Sequence, residues 1–350
     1  VNLQPLIRDW HAHELQADYG LDGVRLVMGC PVWGDLYVDQ FLGYCLPSLV
    51  ANKIDGCALV LFVDGPTEQR LLGYPCPIPT IFRRLPEPIM EGLYAEPGHK
   101  YFLLAAAHNL LIHQAAKVGA GFHMTVPDTV YSVNYFENLE RLGKQHAAIA
   151  HTGFAIVPRT GLPVLDGFRQ ASTLKISAAD LGRIGWEHLN PQWASWTMDD
   201  ITDFQSSGEN GQLPLMPSSH YIHWRGRDAY RIHCAHQSAA WISPERCKQV
   251  TPELGGTVDS ELPRYLAGDF YAPTLADDMT YIVIACESPV DGRVPFEVFQ
   301  KEFWRFIGSD RRFMPYFLAP CVVPAPHDES APDDAELDRR LAALIARLEA

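Results

Sequence analysis

The side chains in this sequence that could do chemistry stand at the ends of apolar runs. Asp128 closes Gly121-Phe-His-Met-Thr-Val-Pro-Asp, and Asp64 closes Ala58-Leu-Val-Leu-Phe-Val-Asp. His233 and His236 close Tyr230-Arg-Ile-His-Cys-Ala-His. An apolar strand fixes the backbone, so a carboxylate at its carboxyl end is aimed rather than free. In open α/β sheets that end is where ligands bind. An acid held there can keep a hard cation against phosphate oxygens, although Asp after Pro also serves simply as a turn residue. On a strand, His233 and His236 point to opposite faces, so at most one enters a given site and a two-histidine zinc centre is disfavoured.

Other groups carry weaker signals. His11 and His13 lie two apart in a helical stretch, Leu6 to Leu15, and do not share a face. His108 falls on the buried stripe of the helix Tyr101 to Val118, where a histidine is more often a satisfied core residue than a ligand. The eight cysteines are scattered from Cys30 to Cys321 with no Cys-x-x-Cys pair, so zinc-ribbon and redox readings fail on spacing. No basic n-region followed by an apolar h-region is visible, which leads to the expectation of reduced thiols in a cytosol.

The elements that must position these residues alternate in type. Strands are expected at Val24 to Gly29, Ala58 to Val63, Gly121 to Val126 and Ala147 to Val157. Between them fall helices at Leu36 to Val50 (which Pro47 could end early), Tyr101 to Val118, and Val133 to Leu142 with Ser132 as its cap. Pro31 to Gly34 reads as the turn leaving the first strand, and Tyr74 to Pro88 as irregular. This alternation predicts an α/β fold with a mainly parallel mixed sheet flanked by helices.

The second half opens with a helix capped at Ser177 and running to about Leu189, then a short one from Trp193. Strands follow at Tyr221 to Trp224 and Tyr230 to His236 around a turn at Arg225 to Asp228, and at Met279 to Ala285. The expected organisation is an N-terminal helical extension (1–23), a nucleotide-binding half (24–157) and a second half of the same domain (158–319). A Pro-rich linker (320–333) and an exposed amphipathic helix (334–350) suited to self-association complete it.

Composition narrows the partners. A hydrophobic content of 47% supports a large core, and a formal charge of -14 argues against nucleic-acid or anionic-membrane surfaces. No run reaches the length of a membrane span. Gly-x-Gly-x-x-Gly is absent after the first strand, and no Gly-x-x-x-x-Gly-Lys-Ser/Thr occurs, which removes the phosphate-loop enzymes.

With these residues in order, the chain resembles nucleotide-sugar-dependent glycosyltransferases of the A-type fold over roughly residues 24 to 300. The resemblance rests on Val24 to Trp33, Leu59 to Asp64, Thr125 to Tyr131 and the histidine strand at His233 to His236. It implies a Rossmann-like nucleotide-binding half, with Pro31, Val32, Trp33 and Asp64 at the donor and Arg159 as a clamp on its diphosphate. It further implies a divalent cation (Mn or Mg) on Asp128 with His233 or His236, and no organic cofactor. Trp193, Trp196 and Trp224, with Tyr221, could form an acceptor platform. The base that takes the acceptor proton would be Asp259, set in a Gly-rich turn, or Glu287, with Asp199 and Asp200 also conceivable. The implied partners are a nucleotide sugar and a hydroxyl acceptor. One departure stands out: the family's Asp-x-Asp motif is here Val126-Pro127-Asp128, with the last acid alone. Two other readings fit the same residues. One is a metal-dependent hydrolase using Asp128, His108 and His233 or His236. The other is a carbohydrate-binding protein that kept the fold without the chemistry.

Overall fold

The computed structural model describes residues 3–52, 54–96, 99–151, 153–189, 196–197, 221–234, 239–249, 270–271, 273, 277–284 and 321–349. The apolar runs become strands β1 (Leu26–Val32), β2 (Cys57–Val63), β3 (Thr80–Arg84), β4 (Gly121–Met124), β5 (Thr129–Tyr131), β6 (Ala148–His151) and β7 (Phe154–Ile156). They are followed by β8 (Arg169–Gln170), β9 (Thr173–Leu174), β10 (Trp196–Thr197), β11 (Tyr221–Arg225), β12 (Ala229–Cys234), β13 (Ala239–Ile242), β14 (Tyr281–Ile284) and β15 (Cys321–Pro324). The helices of the first half are α1 (Leu3–Gln16), α2 (Asp35–Gln40), α3 (Leu46–Ala51), α4 (Gly65–Leu72), α5 (Glu87–Ala95), α6 (Lys100–Val118) and α7 (Tyr135–Gly143). Those of the second half are α8 (Pro158–Asp166), α9 (Ala178–Glu187), α10 (Pro244–Cys247) and α11 (Asp334–Glu349).

The main sheet is six-stranded, in the order β3-β2-β1-β4-β13-β6. Strands β3, β2, β1 and β4 run parallel, and β13 is antiparallel to both β4 and β6. The molecule is therefore α/β with a mixed sheet between helices. The chain winds outward from β1 through β2 to β3, then returns to the far side of β1 as β4. That reversal puts a topological switch point between β1 and β4.

The two strands also part there. Pairing of β1 with β2 runs to Val32↔Val63, but pairing with β4 stops at Gly29↔Met124. Pro31, which has no N–H to give, is tolerated in a central strand because it lies beyond the last β4 partner. Gly29 is required for a different reason: a Cβ there would sit 1.9 Å from the Val60 carbonyl oxygen.

Alternate strand residues feed two cores. Val27, Val60, Phe62, Phe122 and Met124 pack against α1, α5 and α6. Met28, Cys30, Leu59, Leu61 and Ile149 face the α2–α3 helix, Tyr131, Tyr135 and Tyr281. A third core joins β5, β14 and β7 to α8 and α9 through Phe154, Ile156, Ile282, Leu165 and Ile184.

Several sequence expectations are corrected. The N-terminal helix is integral to the main core, with Leu3 and Ile7 fully buried. Pro47 does not end the helix at Leu36 to Val50; a π-helical turn, Phe41–Cys45, precedes it. The Gly43 carbonyl, which a helical Pro47 could not satisfy, accepts a hydrogen bond from Arg169 Nη2 at 2.8 Å. Thr80–Arg84 is an edge strand inside the stretch read as irregular. Pro31 and Val32 belong to β1 rather than to a turn.

Ser132 does not cap the following helix; Asn134, at φ 63°, precedes it, and Ser132 Oγ instead accepts from the Thr280 backbone N–H at 3.1 Å. Ala147 to Val157 is two strands in different sheets. Trp196–Thr197 pairs as a strand with β11 rather than starting a helix. The expected linker contains β15, and α11 packs one face on the molecule rather than standing exposed. Its Leu337 and Leu344 are buried, and Arg231 on β12 bridges Asp334 and Asp338 at 2.9 and 2.7 Å.

Candidate functional site at the carboxyl edge of the main sheet

The carboxyl ends of β1, β2 and β4 deliver Trp33, Asp64 and the loop Thr125–Asp128 to one edge. Asp64 caps α4. One oxygen accepts from the Thr67 backbone N–H at 2.8 Å, and the other accepts from the Tyr94 hydroxyl at 3.0 Å. The acid is 9% exposed, while the Tyr94 ring beside it is 58% exposed. An aromatic face and a carboxylate thus stand together beyond β2.

Asp128 is half-buried on a loop pinned from both sides. The Ile284 N–H donates to its carbonyl at 2.8 Å, and Cys45 Sγ, from the π-helical turn, contacts the Val126 carbonyl at 3.7 Å. Burial, and then the Asp128 charge, push the Cys45 thiol up. In Cys30, burial, Cys45 and Asp128 act in the same direction. Both cysteines are fully buried neutral walls behind the acid.

A cation that sequence reasoning missed stands on the same edge. Helix α6 runs back to the amino end of β4, so its first residue, Lys100, lies at the carboxyl end. Lys100 Nζ donates to the Tyr37 hydroxyl at 3.1 Å and sits 4.9 Å from the Tyr101 ring centroid. The Tyr37 ring is in turn 6.1 Å from that of Trp33. The signal was legible: a lysine opening a helix that immediately precedes the acid-bearing strand.

Beneath the acid loop lies a buried chain of hydrogen-bonding groups. Thr125 Oγ1 is 3.2 Å from His123 Nδ1. The Tyr135 hydroxyl lies 3.4 Å from His123 Nε2 and 3.5 Å from His151 Nδ1. Burial holds both imidazoles down, to about 3. His108 is fully buried, with Nε2 2.9 Å from the Thr125 carbonyl, so it braces this loop from the α6 side.

The remaining expected residues fall elsewhere. Pro31 and Val32 are buried in β1, which leaves their backbone as what a ligand could reach. Arg159 is exposed in the first turn of α8, with no ion pair among the described residues. Trp224 is 4% exposed, inside the small four-stranded sheet. Trp196 and His233 are in β10 and β12. Trp193, His236, Asp199, Asp200, Asp259 and Glu287 lie outside the described residues.

Among the described residues no group of three His, Cys, Asp or Glu side chains could hold a metal ion by itself. A single carboxylate fits a Mg- or Mn-type cation only where substrate phosphates supply further ligands. No helix among the described residues is long and apolar enough to cross a membrane.

Comparison with known proteins identifies no family. No family model matches the chain, and no curated protein matches it. Among solved structures, the chain is similar to mouse xyloside xylosyltransferase 1 in its apo form, at 14% identity and a TM-score of 0.24. That similarity covers 41% of this chain and 57% of the mouse chain, and an overlap so limited does not define a shared fold.

Proposed function

We propose that the chain is a nucleotide-sugar-dependent glycosyltransferase of the A-type fold that uses the carboxyl edge of the main sheet. The observation that carries this reading is that Asp64, Asp128 and Lys100 all stand at the carboxyl edge of the main sheet, next to the point where β1 and β4 part. A nucleoside diphosphate has three features to recognise, and the edge offers a partner for each. Tyr94 presents a ring face to a base, and Asp64 an acceptor to a ribose hydroxyl or base N–H. Lys100 offers a point charge to the diphosphate. Asp128 is the residue to hold a divalent cation, which would neutralise charge on the departing diphosphate.

The reaction breaks the bond between the sugar's anomeric carbon and the diphosphate oxygen and forms one to the acceptor oxygen. The acceptor proton passes to a carboxylate base, for which Asp259 or Glu287 is proposed. Asp128 is kept rigid by β14, the Cys45 contact and His108, so its charge needs no rearrangement as the leaving group develops.

Nucleotide binding tests the reading directly. Thermal unfolding with UDP or GDP should shift upward, and further with manganese, because a ligand of the native state stabilises it. Asp128→Asn, which keeps shape and removes charge, should lose the manganese-dependent part and slow transfer by about 100-fold or more. A midpoint unmoved by either nucleotide would overturn the proposal.

A further inference from the structure

The opposite, amino edge of the main sheet holds a cleft of about 290 Å³ that the transferase reading does not use. One wall is the half-buried ring of Trp241 on β13. Two glycines make room for that ring. A Cβ on Gly143 would meet it at 2.7 Å, and one on Gly121 would lie 3.1 Å from its nitrogen. Leu26, Ile54, Phe136 and Leu139 add apolar lining.

The rim is polar and of both signs. Arg25 Nη1 lies 3.6 Å from Glu140, and Lys144 Nζ lies 3.8 Å from the same carboxylate. Arg25 Nη2 donates to the Asp55 carbonyl at 2.9 Å, and Glu245 closes the far side. These bridges are exposed, with side-chain accessibilities of 61% for Arg25, 57% for Glu140 and 74% for Lys144, so water already competes with them. Three acids against two bases favour no strongly charged ligand. The lining suits a molecule with an apolar C–H face for the ring and hydroxyls around its edge. Hydroxyls can donate to Glu140, Asp55 and Glu245 and accept from Arg25 and Lys144. The volume is at the small end of the roughly 300–1,000 Å³ of ligand pockets, which fits a single ring.

We propose that this amino-edge cleft binds one neutral pyranose ring, stacked on Trp241 and hydrogen-bonded to Arg25, Glu140 and Lys144. It is a site separate from the carboxyl edge and does not depend on the transferase reading. Saturation-transfer NMR on the full chain, with a panel of methyl pyranosides of gluco, galacto, manno, xylo and N-acetylglucosamino configuration, tests it. At least one should bind with a millimolar dissociation constant. Trp241→Ala should weaken binding by about tenfold or more, as loss of a central aromatic anchor does. Because Trp241 also supports β13, the exposed Glu140→Ala and Lys144→Ala serve as second variants. Each should weaken binding several-fold with an unchanged melting temperature, while Asp128→Asn should bind as the unaltered chain does. Absence of binding by every pyranoside at about 20 mM would overturn the proposal. So would binding indifferent to Glu140→Ala and Lys144→Ala, or binding lost in Asp128→Asn.

Discussion

The two faces of the main sheet are built from the same strands but from different chemistry. On the α1–α6 face, β1, β2 and β4 contribute Val27, Ala58, Val60, Phe62, Phe122 and Met124, an aliphatic and aromatic layer without a titratable strand residue. On the other face they contribute Cys30 and His123, packed with Tyr131, Tyr135, His151 and Tyr281. The strand layer of the first face resembles a hydrocarbon interior, with His11 and His108 reaching it only from α1 and α6, and its stabilisation scales with area removed from water. The second places ionisable groups in a dry layer, where their neutral forms are selected. The acid loop rests on the second, with His108 bracing it from the α6 side. Its position is thus set by a hydrogen-bonded chain that hydrophobic packing alone would not specify, and that chain can be broken by protons.

The largest effect should come from the residue that both faces share. In Gly29→Ala the new Cβ would lie on the Val60 carbonyl, a backbone atom that cannot move without separating β1 from β2. Soluble, cooperatively folding protein should be lost, as measured by yield and circular dichroism. A variant that folds with a normal melting temperature would show that β1 and β2 can separate at this point without cost.

Acid should next act on the histidines of the second face. His123 and His151 are held at about 3, against 6.5 in an unfolded chain, so the unfolded state takes up protons first. Their contribution is intact above pH 6.5 and is lost as pH falls toward 3. By pH 5 the loss should reach about 2 kcal/mol for each histidine. His11, lowered by burial between α1 and α6, acts in the same direction. Urea denaturation between pH 8 and pH 4.5 would show it, and a stability independent of pH over that range would remove the buried imidazoles from the account.

The aliphatic face makes the contrasting case. Leu111 on α6 is fully buried against it. Leu111→Ala should cost about 2–5 kcal/mol for transfer and cavity together. That cost should be the same at pH 8 and at pH 5.5, because no titratable group is exchanged. A cost that changes markedly with pH would mean that the two faces are coupled through the sheet.

How much of this was visible in the sequence follows the same division. Continuous apolar runs announced β1, β2, β4 and α6, because strands covered on both faces have no polar positions to interrupt them. The edge strand β3 was hidden by the prolines before it and by Arg83 and Arg84, which are ordinary for an edge. Asp64 and Asp128 were legible as strand-end acids. Lys100 was passed over because helix direction, rather than residue type, puts it on that edge. The pairing of His123 with His151 through Tyr135 joins β4, α7 and β6 at separations that match neither a helical nor a strand period, and no local pattern encodes it. The early end of β4 pairing, where β1 and β4 part, is a matter of register and leaves only Pro31 as its trace.

The smallest effect separates structure from chemistry at Asp64. The residue has a full structural occupation, since one oxygen caps α4 and the other accepts from Tyr94. Removing it conflates two roles: Asp64→Ala should cost about 1 kcal/mol through the lost cap, whatever the site does. Asp64→Asn keeps a side-chain oxygen for the Thr67 N–H and caps about as well, so its melting temperature should stay within a degree or two of the unaltered chain. What Asn changes is the charge and one acceptor, now an amide facing the Tyr94 hydroxyl and any ribose. If the edge binds a nucleoside diphosphate through Asp64, Asp64→Asn should weaken UDP or GDP binding about tenfold at constant stability, by calorimetry. Unchanged affinity would confine Asp64 to capping and leave Asp128 and Lys100 as the polar residues of the proposed donor site.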